Sequence, residues 1–239
     1  MNRGMYPVLS GAITHERHLE VLAHNLANIH TAGFKKDEVV FGTILARVPG
    51  PSVAGMDLFP EVAMVRPDTS QGTLRNTGHD LDVALEGDGF LVVSTPSGLR
   101  HFRGGSLRVN QNGELATHAG DPVLGRGGPI ELAPGQITIN QSGTVRVDGK
   151  EVGQLRIERV PSSTVPVKAG NLYWVAPDRP EEATGVIVHQ GFLELSNVNP
   201  SMALIDMIQV TRGYEQMQRA IQAMDELTGQ IIQSSRLKG

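Results

Sequence analysis

Apolar residues recur in alternating steps of three and four at both ends of the chain. From Met5 the steps land on Val8, Ala12, His15, Leu19, Leu22, Leu26 and Ile29. This is a seam of period 3.5, broken only at His15, and it predicts a helix. Pro7 suits a first helical turn, where its missing N–H is no loss. Gly33 can take the left-handed conformation that closes a helix, and Phe34 offers the apolar contact beyond it. From Ala203 the same steps reach Met207, Val210, Tyr214, Met217, Ile221, Met224, Thr228 and Ile231. They predict a second helix from about Ser201 to Arg236, entered through Asn199-Pro200-Ser201. This helix carries a further apolar edge at Leu204, Ile208, Ala220 and Leu227.

Between the helices the period changes to two. Short alternating runs such as LDVALEGDGFLVVS, QLRIERV and GVIVHQGFLEL are punctuated by Asn112-Gly113, Ser142-Gly143 and Asp148-Gly149. Such pairs turn antiparallel strands back on themselves. The expected organisation is α+β. An N-terminal helix spans 1–40, an extended Pro- and Gly-rich connector 41–71, an inserted antiparallel β domain 72–195, and a C-terminal helix 196–239. Neither helix has enough apolar surface to stand alone. The two either form an ordinary intramolecular hairpin or act as coiled-coil-like assembly elements that order when copies stack.

Composition narrows the function. The chain has 239 residues, of which 28 are glycine and 14 proline, favouring a turn-rich fold over a bundle. A net charge of -4 without a basic block excludes a phosphate-backbone binder. The absence of cysteine excludes disulfides and thiolate metal sites. No run approaches the roughly 20 apolar residues that span a bilayer. Glu16, Arg17 and Glu20 interrupt the stretch where a cleaved signal would need continuous apolar residues. His15 and His18 flank Glu16 without the His-Glu-x-x-His spacing of a zinc helix. Asp80, Asp82, Glu86 and Asp88 cluster, but glycosidic chemistry would also want sugar-stacking aromatics, and these are only 4% of the chain. The expectation is a protein that is not an enzyme and has no cofactor, metal or small-molecule substrate. A cell-wall-acting enzyme is the competing class.

NLAN followed by TAGFKK near the start, and GFLELSNVNP before the last helix, resemble the bacterial flagellar axial proteins that build rod, hook and hook–filament junction. The first motif is carried by Asn25, Leu26, Ala27, Asn28, Thr31, Gly33, Phe34 and Lys35. The second is carried by Gly191, Leu193, Glu194, Ser196, Asn197, Val198 and Asn199. Chain length and the insertion fit the two larger rod members, and the short 41–71 stretch resembles the proximal rod type more than the distal.

The resemblance implies a rod subunit that polymerises with copies of itself and other rod proteins to carry torque from motor to hook. It also implies delivery by the flagellar type III export apparatus to the periplasm, with no cleaved signal, no membrane insertion and no nucleic-acid partner. The expected assembly interface comprises Leu19, Leu22, Asn25, Leu26, Asn28, Gly33, Phe34, Asn197, Asn199, Met207, Val210, Tyr214, Met217, Ile221 and Met224. Asn25 and Asn28, three apart, are expected to bond either to neighbouring helices, fixing register as polar coiled-coil residues do, or to the segment after Gly33. Asn28 could instead simply end the helix.

Overall fold

A computed structural model describes residues 5–47, 56–161, 166–170, 172–176 and 180–236. The chain divides into two compact units. Unit 1 takes Met1–Ala27, Asp37–Arg66 and Asn199–Gly239; unit 2 takes Asn28–Lys36 and Pro67–Val198.

Unit 1 contains helix α1 (Met5–Ala27), strands β1 (Asp37–Arg47) and β2 (Met56–Pro67), and helix α2 (Pro200–Arg236). α1 and α2 pack together. They run antiparallel, since Gly11 meets Met217, His15 meets Gly213, and His18 feels the charge of Asp206. Asn199 caps α2: its side-chain oxygen accepts the Met202 N–H at 3.1 Å and its carbonyl accepts from Ala203 at 3.0 Å.

Two expectations change here. The described residues of the 41–71 stretch are largely paired strand, because β1 and β2 form a two-stranded sheet. Val39, Val40, Thr43, Val62 and Val65 give both strands β-branched positions that suit a pleat. The Pro49-Gly50-Pro51 cluster that suggested a connector lies outside the described residues. The first helix also ends at Ala27, well before Gly33. Beyond it, Thr31 N–H donates to the Asn28 carbonyl at 3.1 Å and Phe34 N–H to that of Thr31 at 3.3 Å, making two successive tight turns. Gly33 is left-handed, at φ 73°, as part of that turn rather than as a helix cap.

In unit 2 every described pairing is antiparallel. The largest sheet has six strands, ordered Val167–Ala169, Tyr173–Val175, Gly98–Phe102, Phe90–Thr95, Ile157–Arg159 and Glu181–Glu182. A four-stranded sheet orders Ile187–Gln190, Asp82–Glu86, Gly104–Val109 and Leu115–Thr117. A three-stranded sheet spans Ile137–Gln154. Four consecutive residues of Asp82–Leu85, and again of Phe90–Val93, are buried, so both faces of these strands are covered. The core gathers Val83, Leu85, Leu91, Val93, Phe102, Leu107, Leu115, Val123, Val145, Leu155 and Val188.

The turns have two designs. Asp148 (φ 48°) and Gly149 (φ 80°) close a two-residue hairpin with Val147 opposite Lys150, as a type I′ turn requires. The other two turn pairs sit in matching five-residue loops. Asn110 and Asn140 each accept two backbone N–H bonds on the side-chain oxygen, from residues two and four further on, and Gly113 or Gly143 supplies the left-handed step. An asparagine three residues before the glycine therefore nucleates each loop.

Candidate assembly interface

The 3.5-residue seams face one another in unit 1. Ala12 and Leu22 are buried on α1, Ala203 and Val210 on α2. Leu19, Leu26, Met207, Tyr214, Met217, Ile221 and Met224 are partly buried along the same faces. The side chain of Ile231 lies outside the described residues. The contact is close because two positions that the seam left out are small. A Cβ on Gly11 would come within 2.9 Å of the Met217 methyl, and one on Gly213 within 2.7 Å of the His15 ring. The apparent break at His15 is thus a ring seated against a glycine. His18 packs edge-on to Phe41, with ring centroids 5.3 Å apart. Burial holds its imidazole below the ordinary value, against a counter-pull from Asp206.

Asn25 acts inside the chain. Its side-chain N–H donates to the Asp37 carbonyl at 2.8 Å, and the Asp37 N–H donates back to its side-chain oxygen at 2.8 Å. The amide mimics a strand neighbour and fixes where β1 begins, in the segment after Gly33. The residue is buried. The Ser10 hydroxyl donates to the Pro60 carbonyl at 2.5 Å, and the Thr14 hydroxyl, which donates to the Ser10 carbonyl at 2.8 Å, lies 3.2 Å from the same Pro60 oxygen, so β2 is held on α1.

The remaining motif residues lie in unit 2. Asn28 is buried just past the helix, and the Thr31 hydroxyl bonds its side-chain oxygen at 3.3 Å. Gly33 N–H donates to the Glu194 carbonyl at 2.8 Å, and a Cβ there would approach the Gly104 carbonyl at 3.1 Å. Phe34 is fully buried, with the Lys168 ammonium 4.4 Å above its ring. Asn197 accepts the Lys36 N–H at 2.7 Å and donates to the Asp68 carbonyl at 2.9 Å, bridging two segments with one amide. Asn199 is exposed.

The centre of this arrangement was not among the expected site residues. Glu194 is 2% exposed and receives Lys35 on one oxygen at 2.5 Å and Arg103 on the other at 2.8 Å. Gly72 N–H adds a third bond at 2.8 Å. Lys35 also reaches the Ser70 carbonyl at 2.6 Å, and Arg103 the Gly89 carbonyl at 2.6 Å. Burial draws the Lys35 ammonium below the usual lysine range, opposed chiefly by the Glu194 charge. Lys35 and Glu194 each belong to a terminal motif, so the sequence held that signal; Arg103 had none. Among the described residues, no group of three His, Cys, Asp or Glu is placed to hold a metal ion.

The buried polar groups here position backbone, and the exposed apolar residues include Met202, Leu204, Ile205, Ile208 and Leu227 of α2. Such a build joins a pair of packed helices to a β unit organised by buried polar bonds. Comparison with known proteins gives the class. Residues 84–147 match the flagellar hook protein FlgE/F/G D1 domain, and 189–234 the C-terminal region of flagellar basal body rod FlgEFG proteins. The flagellar basal-body rod protein FlgF of Caulobacter vibrioides is 32% identical over 98% of both chains. FlgF of Mesorhizobium japonicum is 33% identical over 90% of both. FlgG of Buchnera aphidicola is 30% identical over 94% of this chain and 96% of its own. The chain belongs to the flagellar basal-body rod FlgE/F/G family.

Proposed function

We propose that the chain is a structural subunit of the bacterial flagellar rod, of the proximal type that FlgF represents. It polymerises through its terminal helices into the shaft that carries torque from motor to hook. The observation that carries this reading is the match to FlgF proteins along the whole chain, together with an α2 that pairs with α1 on one face and exposes apolar residues on another. Its partners are copies of itself, other rod proteins, and the type III export apparatus that delivers it to the periplasm without a cleaved signal. Met207, Val210, Tyr214, Met217, Ile221 and Met224 line the seam on which assembly depends. Asn25, Gly33 and Phe34 hold the adjoining segments in the shape that assembly uses. The chain bears load and carries out no catalysis.

The test is complementation. A strain lacking this gene should have basal bodies without complete rods, and restoring the gene should restore hooks and swimming. Carriage of Ile221→Asp should not restore them. Purified protein should leave peptidoglycan intact. The likeness to FlgG favours a second reading, a distal rod subunit. Rescue of a strain lacking the distal protein, without rescue of one lacking the proximal protein, would select it.

A further inference from the structure

Unit 1 exposes two different apolar surfaces. The first is a groove of about 430 Å³ between α1 and β2, walled by Tyr6, Leu9 and Ile13 on one side and Pro60 and Val62 on the other, with the charged Arg17 and Glu61 also in its lining. The three α1 residues are 42–53% exposed. The second is a ridge on α2 made by Met202, Leu204, Ile205 and Ile208, which are 47–55% exposed. Seven apolar residues open to water in two patches of one small unit mark contact surfaces.

From these features we infer that the ridge of one copy docks in the groove of the next. This rests on the rod-subunit reading and deepens it by naming the surfaces and the occupant. Three features select a second copy of this chain. Size is one. A cavity of about 150 Å³ takes a benzene ring, so the groove takes two or three branched side chains, which the spacing of Ile205 and Ile208 on one helical face presents together. Charge is another, because Arg212 follows Ile208 by one turn and Glu61 lines the groove, while Arg17, the other charged residue of the lining, is already paired with Glu20 at 2.8 Å. The last is geometry. Asp206 lies opposite His18, whereas the groove is centred near Gly11, which lies opposite Met217. Ridge and groove are thus offset by seven residues of α1, about 10 Å along the axis at 1.5 Å per residue. Two unlike surfaces, offset along the axis, make a heterologous contact that leaves a free ridge and a free groove at the ends and so propagates.

The chain has no cysteine, which makes the contact directly testable. Cells would carry Ile13→Cys and Ile208→Cys on two separately tagged full-length copies, both at positions more than half exposed. Isolated basal bodies would be treated with a short bismaleimide. The expected result is a linked pair containing one copy of each tag, several-fold above either like-with-like product. Leu9→Cys with Ile205→Cys should repeat it. Like-with-like products alone, linkage to a different rod protein, or no linkage between copies that are present in the basal bodies would each overturn the docking while leaving the rod reading intact. Absence of both tagged copies from basal bodies, when the untagged chain is also absent, would remove the rod reading and the docking with it.

Discussion

Lys35 and Glu194, 159 residues apart in sequence, meet at 2.5 Å inside unit 2, where each side chain is 1% exposed. One ends the first family motif and the other lies within the second. With Arg103 on its other oxygen, Glu194 is the anion that joins the 28–36 turn to the β strands.

Removing that anion leaves two buried cations unpaired. Glu194→Gln should cost roughly 3–5 kcal/mol, the range for breaking a buried ion pair by loss of one partner. Lys35→Met should cost less, because Glu194 keeps Arg103. Urea unfolding followed through Trp174, which is buried in the six-stranded sheet, gives the ranking. Equal midpoints for the two variants would show that the two cations do not share one carboxylate.

The two helix glycines should respond oppositely to alanine. At Gly11 the atom in the way is the flexible end of Met217, so the gain in helix propensity, up to about 1 kcal/mol, decides the sign. At Gly213 it is the imidazole of His15, a rigid ring at 2.7 Å, and overpacking costs about 1–3 kcal/mol. Gly11→Ala should leave helical unfolding unchanged or raise its midpoint, and Gly213→Ala should lower it. Matching shifts from the two substitutions would rule out the ring-on-glycine contact.

Asn25→Ala removes both bonds to the partly buried Asp37 N–H and C=O. A loss of about 1–3 kcal/mol in unit 1 follows from leaving buried polar groups unsatisfied. Hydrogen exchange at the Asp37 amide should accelerate tenfold or more, while amides of the Val83–Leu85 core keep their protection. An unchanged Asp37 rate would mean that the amide's role lies between chains.

Helix pairing should weaken in acid. Burial lowers His18 from its ordinary value of 6.5, so the unfolded chain takes up its proton first. The unfolded state therefore gains protons over the folded one as pH drops below 6.5. Stability is present above that value and is lost towards the folded pKa. His15 beside it pulls the same way, and Asp206 opposes. The helical unfolding midpoint should fall as pH drops through 6.5, and His18→Gln should flatten that slope. A slope identical in the variant would assign the effect to other groups.

The sequence by itself determined what depends on neighbours in the chain. The seams on α1 and α2 set which faces pair, and Asn199 announced the start of α2. Asp148-Gly149 specified its turn because both residues readily take the left-handed conformation that a type I′ closure needs. The α+β organisation and the family followed from motifs legible at each end. Tertiary structure alone decided that α1 stops at Ala27, that Asn25 turns to Asp37, that Asp37–Arg47 and Met56–Pro67 pair as two strands, and that Arg103 completes the site of Lys35 and Glu194. The Asn25–Asp37 and Lys35–Glu194–Arg103 contacts draw their free energy from satisfying buried polar groups with partners 12 to 159 residues away. Hydrophobic periodicity records which face is covered. It carries no record of which distant carbonyl or carboxylate arrives to cover a polar atom.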